Sequence, residues 1–367
     1  MTISTSNVEF SEIQTEFGGS NPITFSEYYR GGSYVTSHAG TATIPTSGTI
    51  KVSDFFGTYA SNRNNNALTL TSDVADFNLY NHLVGLYGSS YFNMPADITI
   101  TIDSGVHVYS TNTSNAGFDT GAGWPATSTV TIINNGYIIG KGGAGGAGAS
   151  LISVFDYNGQ SGSAGGPALN LTLDVSITNA NGYIYGGGGG GGGGSSQATY
   201  YYIYEWASGG GGGGGGQSFD PTSGGTGGLS LSNYYYPPED PWRPASLPNR
   251  YFYVNYSYDN PASPPGNAGP GTSGTFSGAG TGGTEASNYF YDDNDPINYP
   301  TPNYITGGDG GNGGTWGTAG SAGVSTPLYF SETGGAAGAG GKSINLNGFV
   351  ATFVSGNDST HVKGLQA

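Results

Sequence analysis

The chain has 367 residues, of which 71 are glycine and none cysteine, and its 8 lysines and arginines face 24 acids for a net charge of −16. This composition excludes a conventional leucine-and-valine core along the whole length, a disulfide framework and a thiolate zinc site, and it makes nucleic acid and anionic membrane poor partners. No apolar stretch is long enough for a transmembrane helix, and the opening MTISTSNVEF has neither the basic nor the apolar region of a secretory signal, so neither membrane insertion nor a signal is expected.

Residues 1–60 repeat one pattern: VEFSEIQTEFG from Val8, ITFSEYYRG from Ile23 and IKVSDFFG from Ile50. Each copy alternates apolar residues, then places serine before an acid, then aromatic or aliphatic residues. Serine before an acid is a good N-cap, so each copy predicts a short strand running into one helical turn. Such turns need a surface to pack on. We expect a small docking module that meets another chain or its own copies through Ile13, Phe17, Phe25, Tyr28, Tyr29, Phe55 and Phe56, a self-contained subdomain being the alternative. SNRNNNA, 61–67, reads as the linker out of it.

A linker and β-rich base are expected over 61–135. Val74, Phe77, Leu79, Leu83 and Leu86 have helical spacing, with a start at Ser72 and Asp73 and an end near Gly85 or Gly88. VTIINNGYIIG from Val130 and VSITNANGYIYG from Val175 each join two branched strands through Asn-Gly, a strong hairpin signal. ITITIDSGVHVYS from Ile98 and INLNGFVATFVSG from Ile344 repeat it. A β-hairpin base is therefore expected, closed by a C-terminal hairpin over 344–367.

Residues 136–343 are glycine-rich. Tracts run from Gly142 to Gly148, Gly159 to Gly166, Gly186 to Gly194, Gly209 to Gly216, Gly224 to Gly228, Gly266 to Gly283, Gly307 to Gly323 and Gly334 to Gly341. In GGDGGNGGTWGTAGSAG, 307–323, glycine returns at every third position, the period of polyproline II, a helix without internal hydrogen bonds. Ordering nine such residues costs about 9–18 kcal/mol of backbone entropy, against about 1 kcal/mol net for each hydrogen bond. One tract alone stays unordered; a bundle can hold. Eight or nine residues at about 3.1 Å each span roughly 25–28 Å, whereas seventeen span about 53 Å. The 307–323 stretch is thus expected to reverse near Thr315 and Trp316, and 266–283 near Pro270 to Phe276. That gives a bundle of about ten polyglycine II helices, with the long aromatic segments all at one end.

Those segments hold 15 of the 28 tyrosines, all between residues 200 and 304. Tyrosine-rich, proline-stiffened loops on a rigid platform have the composition of a recognition surface. The candidate binding residues are Tyr200, Tyr201, Tyr202, Tyr204, Trp206, Tyr234, Tyr235, Tyr236, Trp242, Arg243, Arg250, Tyr251, Tyr253, Tyr289 and Tyr291. Chemistry motifs are weak. His38, His82, His107 and His361 lack metal-like spacing. AAGAGGKS, from Ala336, fits a loose phosphate-loop pattern but is followed by strand-like residues where the mechanism needs a helix. Asp292, Asp293 and Asp295 suit solvated turns better than calcium, and Asp292 with Asp295 makes only a thin case for a polysaccharide depolymerase. No catalytic residue, cofactor or metal is expected, and the chain is read as a non-enzyme.

SEIQTEFGGSNPITFSEYYRGG followed by IPTSGTIKVSDFFGTYA resembles the N-terminal segment of tailed-bacteriophage tail and fibre proteins. NNGYIIGKGGAGG and GKSINLNGFVATFVSGN look like the glycine-rich adhesins at the tips of T-even-like long tail fibres. The resemblance implies a polyglycine II bundle whose variable distal loops touch an outer-membrane protein or surface glycan. It implies that the N-terminal module attaches to other virion tail proteins, with a homotrimer as one arrangement. It also implies assembly in the host cytoplasm and release by lysis. A purely structural fibre or decoration protein is the competing expectation.

Overall fold

The computed structural model describes residues 3–4, 6–37, 39–59, 64–93, 95–150, 158–201, 204–226, 231–234, 268–290, 303–326 and 332–367. Near the N-terminus, α1 (Phe10–Phe17) and 3₁₀ turns at Phe25–Tyr28 and Val52–Phe55 carry the three repeats. The cap differs from the expected one. The repeat's acid lies inside the turn and accepts a backbone N–H: Glu12 from Ser4 at 2.7 Å, Glu27 from Thr24 at 2.6 Å and Asp54 from Lys51 at 2.7 Å. The serine before it is itself within the turn, and no strand precedes these turns among the described residues. Ile3, Ile13, Phe17, Tyr28, Val35, Ile44 and Phe55 form the module's own core, with Phe17, Tyr28 and Phe55 meeting edge to face.

From residue 64 the chain winds into a three-sided stack. Its first coil is β1 (Asn64–Leu70), β2 (Val74–Ala75) and β3 (Phe77–Asn78), followed by α2 (Leu79–Tyr87). The second is β4 (Ala96–Ile102), β5 (His107–Tyr109) and β6 (Phe118–Asp119); the third is β7 (Thr129–Asn134), β8 (Tyr137–Ile139) and β9 (Leu169–Asn170). β10 (Val175–Thr178) and β11 (Tyr183–Tyr185) open the fourth. The chain then leaves through β12 (Gln197–Tyr201), β13 (Tyr204–Ser208), β14 (Leu231–Tyr234), β15 (Ser287–Phe290) and β16 (Asn303–Thr306). It returns at β17 (Ile344–Asn345), with β18 (Ala351–Ser355) and β19 (Val362–Lys363) in the last coil.

Like strands of successive coils pair in parallel, in the orders β1-β4-β7-β10-β18, β2-β5-β8-β11-β19 and β3-β6-β9-β17. Period-2 alternation turns one residue in two inward, so in-register ladders fill the interior. Leu68, Ile100, Ile132, Ile177 and Phe353 make one; Val108, Ile138, Ile184 and Val362 another; Phe77, Phe118, Leu169 and Ile344 the third.

The expected β-hairpin base is thereby overturned, the C-terminal hairpin included. β7 and β8 lie in different sheets, as do β10 and β11, and β17, β18 and β19. A two-residue Asn-Gly hairpin turn needs positive φ, which neither Gly136 nor Gly182 has. Instead buried Asn134 accepts the Gly136 N–H at 3.1 Å and donates to Asn179 Oδ1 at 2.7 Å and Tyr183 O at 3.1 Å, turning the corner between sheets. The expected helix also starts later. Val74 and Phe77 are in strands, Asn78 caps α2 by accepting the Asn81 N–H at 2.9 Å, and Asp73 binds His107 at 3.1 Å.

The glycine-rich runs belong to neither helix nor sheet and bond to one another. Residues 187–195 donate every backbone N–H in a three-residue rotation at 2.8–3.0 Å. Gly187, Gly190 and Gly193 donate to 160–166; Gly188, Gly191 and Gly194 to 211–217; Gly189, Gly192 and Ser195 to 318–324. Their carbonyls accept in the same rotation from 143–149, 308–314 and 335–341. The 209–217 run is likewise bonded to 143–149, 188–194, the Gly225 segment, 269–275, 280–286 and 308–314.

These two runs are bonded on every side, and here glycine is unbroken from Gly186 to Gly194 and from Gly209 to Gly216. A Cβ on Gly191 would lie 2.0 Å from Gly311 O. Among the described residues the 317–324 run bonds, beyond its own turn, only to 186–195, 307–314 and 334–341, and it keeps glycine at 317, 320 and 323 alone. The glycine content of a run therefore follows how much of its circumference faces other runs.

The 307–323 stretch reverses at Thr315 and Trp316, for Ser321 donates to Asn312 and Val324 to Asp309, both at 2.8 Å. The runs alternate in direction. Their near turns carry Phe219, Phe276 and Trp316, which dock on an aromatic stack of the base. There His107, Tyr137, Tyr183 and His361 lie one on the next with centroids 4.8, 4.9 and 5.6 Å apart. Phe219 stacks on His107 at 4.3 Å, and buried Trp316 on Tyr185 at 5.7 Å. Lys141 at the foot of the first run pairs with the Asp220 carboxylate and donates to Asp220 O at 2.9 Å.

Candidate functional site

Because the runs alternate in direction, the connections 150–158, 196–208, 227–267, 287–306 and 325–333 all leave at the end far from the base. The described parts of this distal end include the five strands β12 to β16. β13 pairs antiparallel with β12 on one side and β14 on the other, with Tyr201, Tyr204 and Tyr234 at one register position across the three strands and Thr199, Trp206 and Ser232 at another. β15 and β16 form a separate hairpin with Tyr289 opposite Tyr304.

Gln197, at the foot of β12, ties these pieces to the platform. Its Oε1 accepts the Thr306 N–H at 2.8 Å and its Nε2 donates to Thr326 O at 3.4 Å. Buried Ser195 Oγ accepts the Thr326 N–H at 2.9 Å. The platform thus fixes where three connections start and end.

The structure brings Tyr200, Tyr201, Tyr204, Trp206 and Tyr234 into one sheet and puts Tyr289 in the neighbouring hairpin. Tyr202, Tyr235, Tyr236, Trp242, Arg243, Arg250, Tyr251, Tyr253 and Tyr291 lie outside the described residues, as do Asp292, Asp293 and Asp295. Of the expected N-terminal contact set, Ile13, Phe17, Tyr28 and Phe55 are buried in the module's own core, Phe25 and Tyr29 are half-buried, and Phe56 is exposed.

The distal end is acidic as well as aromatic, and beside the acids already legible in the loops it carries a group at the ends of the glycine runs. The Glu285 N–H donates to Asp309 Oδ1 at 3.0 Å, and a carboxyl hydrogen bond to Asp309 pushes the Glu285 carboxyl above its ordinary value. Glu332 is buried nearby in the connection ahead of the 334–341 run. The only sequence signal for these groups is an acid at the distal limit of a glycine run, which gains meaning once the runs' directions are known.

Among the described residues no group of three or more histidines and acids converges as a metal site. His107 and His361 are each held by an aspartate at the base, Asp73 and Asp358, and the His361 hydrogen bond holds the exposed Asp358 carboxyl below its ordinary value. No helix among the described residues is long and apolar enough to cross a membrane.

The family model for the phage tail fibre adhesin Gp38 matches residues 65–364, which take in the coiled base and all the glycine-rich runs. No curated protein and no solved structure matches the chain.

Proposed function

Since the chain belongs to the phage tail fibre adhesin Gp38 family, a component of the virion tail, we propose that it is a receptor-binding protein that grips a bacterial surface receptor through the tyrosine-rich connections at its distal end. One observation carries this reading: every connection rich in tyrosine leaves the platform at the same end, away from the base. Large amphipathic side chains on a support that is already ordered give contact area at low entropic cost. We read the glycine runs as polyglycine II helices. The three-residue rotation of their hydrogen bonds is the repeat of that conformation, and the absence of Cβ atoms lets neighbours approach all round.

In this account the coiled base, closed by the residues after 343, holds the ends of the bundle. The N-terminal 60 residues fix the chain to other tail proteins, with exposed Phe56 as the first contact to test. The receptor is an outer-membrane protein or a surface glycan. The chain works by adhesion, with no reaction of its own, and many copies on one particle turn a weak grip into a firm one. The test is binding of fluorescently tagged, purified chain to host cells. The protein is expected to coat the cells and to block adsorption of the parent phage. Failure to bind any host while remaining folded contradicts the reading. Loss of binding after protease treatment of the cells identifies a protein receptor, and retention a glycan.

A further inference from the structure

Glu332 is only 2% exposed, and among the described residues neither of its carboxylate oxygens has a hydrogen-bond partner. Its place is fixed by its neighbours at the distal end. The Thr333 N–H and Oγ1 both donate to Asn158 Oδ1, at 2.8 and 2.9 Å, and the Gly334 N–H donates to Ser325 Oγ at 2.9 Å. Buried carboxylates are kept in proteins when something pairs with them, because an unpaired one gives up its hydration and receives nothing in return.

The chain supplies little to pair with it. Of the described basic side chains, Lys141 is bound to Asp220, Lys342 to Asn345 and Ala367, and Lys363 lies over the Tyr185 ring, all at the base. Arg30 and Lys51 belong to the N-terminal module. In sequence, the connections 150–158, 196–208, 227–267, 287–306 and 325–333 contain 1, 1, 3, 3 and 1 acids, nine in all, against two arginines, Arg243 and Arg250. Positive charge at this end has to come chiefly from outside.

We propose that Glu332 is an ion-pair site completed by the receptor, taking the guanidinium of an arginine that the bacterial surface protein presents to the distal end. This rests on the adhesin reading and specifies its partner. Two free oxygens on one carboxylate match the two parallel N–H groups of a guanidinium. A chelated divalent ion asks for several oxygen ligands, and among the described residues Glu332 belongs to no group of three or more histidines and acids that could hold one. Because the carboxylate lies below the surface, the arginine must insert, and the acidic surroundings favour a basic partner and reject acidic ones.

The test is Glu332→Gln in the full chain, which keeps the shape and removes the charge. In the free protein the melting temperature should hold or rise. On host cells, binding should fall at least about tenfold. Raising the salt concentration should weaken the wild type more than the variant. A melting temperature lowered by several degrees would overturn the proposal, because Glu332 would then be paired within the chain, with Arg243 or Arg250 as the first candidates. Wild-type binding abolished by a chelator would overturn it in favour of a bridging ion. Equal cell binding by variant and wild type removes this inference alone, whereas a wild type that binds no host removes the adhesin reading with it.

Discussion

A missing side chain is the working feature of the two central runs. At Gly191 a methyl group would meet Gly311 O at 2.0 Å and its carbonyl carbon at 2.5 Å, both backbone atoms of another run. Neither can move without breaking its own bonds. Gly191→Ala should therefore cost roughly 3 kcal/mol or more. Gly278→Ala, at a turn where a Cβ has nothing within 4 Å, should change stability by no more than about 0.5 kcal/mol. Chemical denaturation of the two variants checks the contrast, and equal effects would contradict it. Asn134 makes the matching point in the base. Asn134→Ala leaves the Gly136 N–H and the Asn179 amide without their partner, a loss of about 1–3 kcal/mol expected in the same experiment.

The elements meet through aromatic rings, and these give the fold a pH signature. Burial is the main force that pushes the Tyr185 hydroxyl up to about 12, and the same holds for Tyr91, beyond the end of α2. Each keeps its proton in the folded chain while the unfolded chain ionises at the ordinary value of 10. The stability they contribute is present in full below pH 10 and is lost between pH 10 and about 12. Melting temperature should fall steeply across that window and fall less for Tyr185→Phe; a flat profile would contradict the assignment. Trp316, 6% exposed against Tyr185, holds the 315–316 turn to the base. Trp316→Ala should cost about 3 kcal/mol.

How far these elements could be read from the sequence depended on whether their signals were local. The reversal at Thr315 and Trp316 follows from a length that a layer of short runs cannot accommodate. The β coils were misread as hairpins because branched alternation around Asn-Gly looks the same in both. What separates them is the partner strand, which here lies in a different coil. In the fourth coil the glycine-rich body stands between β11 and β17, hiding the coil period altogether. The N-terminal repeats correctly marked helical turns, but a core that closes on itself comes from contacts among Ile13, Tyr28, Ile44 and Phe55 that no single repeat contains. The aromatic residues of the distal end were visible as composition, and the acids around them only after run directions placed Glu285, Asp309 and Glu332 together at one end.

At the scale of the whole molecule, the base sets the ends of the runs, the runs set the starting points of the connections, and the connections carry the proposed receptor contacts. Stability and recognition are thereby separated: the parts that hold the fold lie in the coils and the glycine runs, and the proposed contacts lie beyond them. The division predicts that distal sequence can be exchanged without unfolding the chain. The most direct test replaces residues 235–265 with a short Gly-Ser linker and measures both thermal unfolding and binding to host cells. The account predicts an unfolding transition within a few degrees of the wild type and a loss of cell binding of tenfold or more. A folded variant that still binds the host as the wild type does would contradict it.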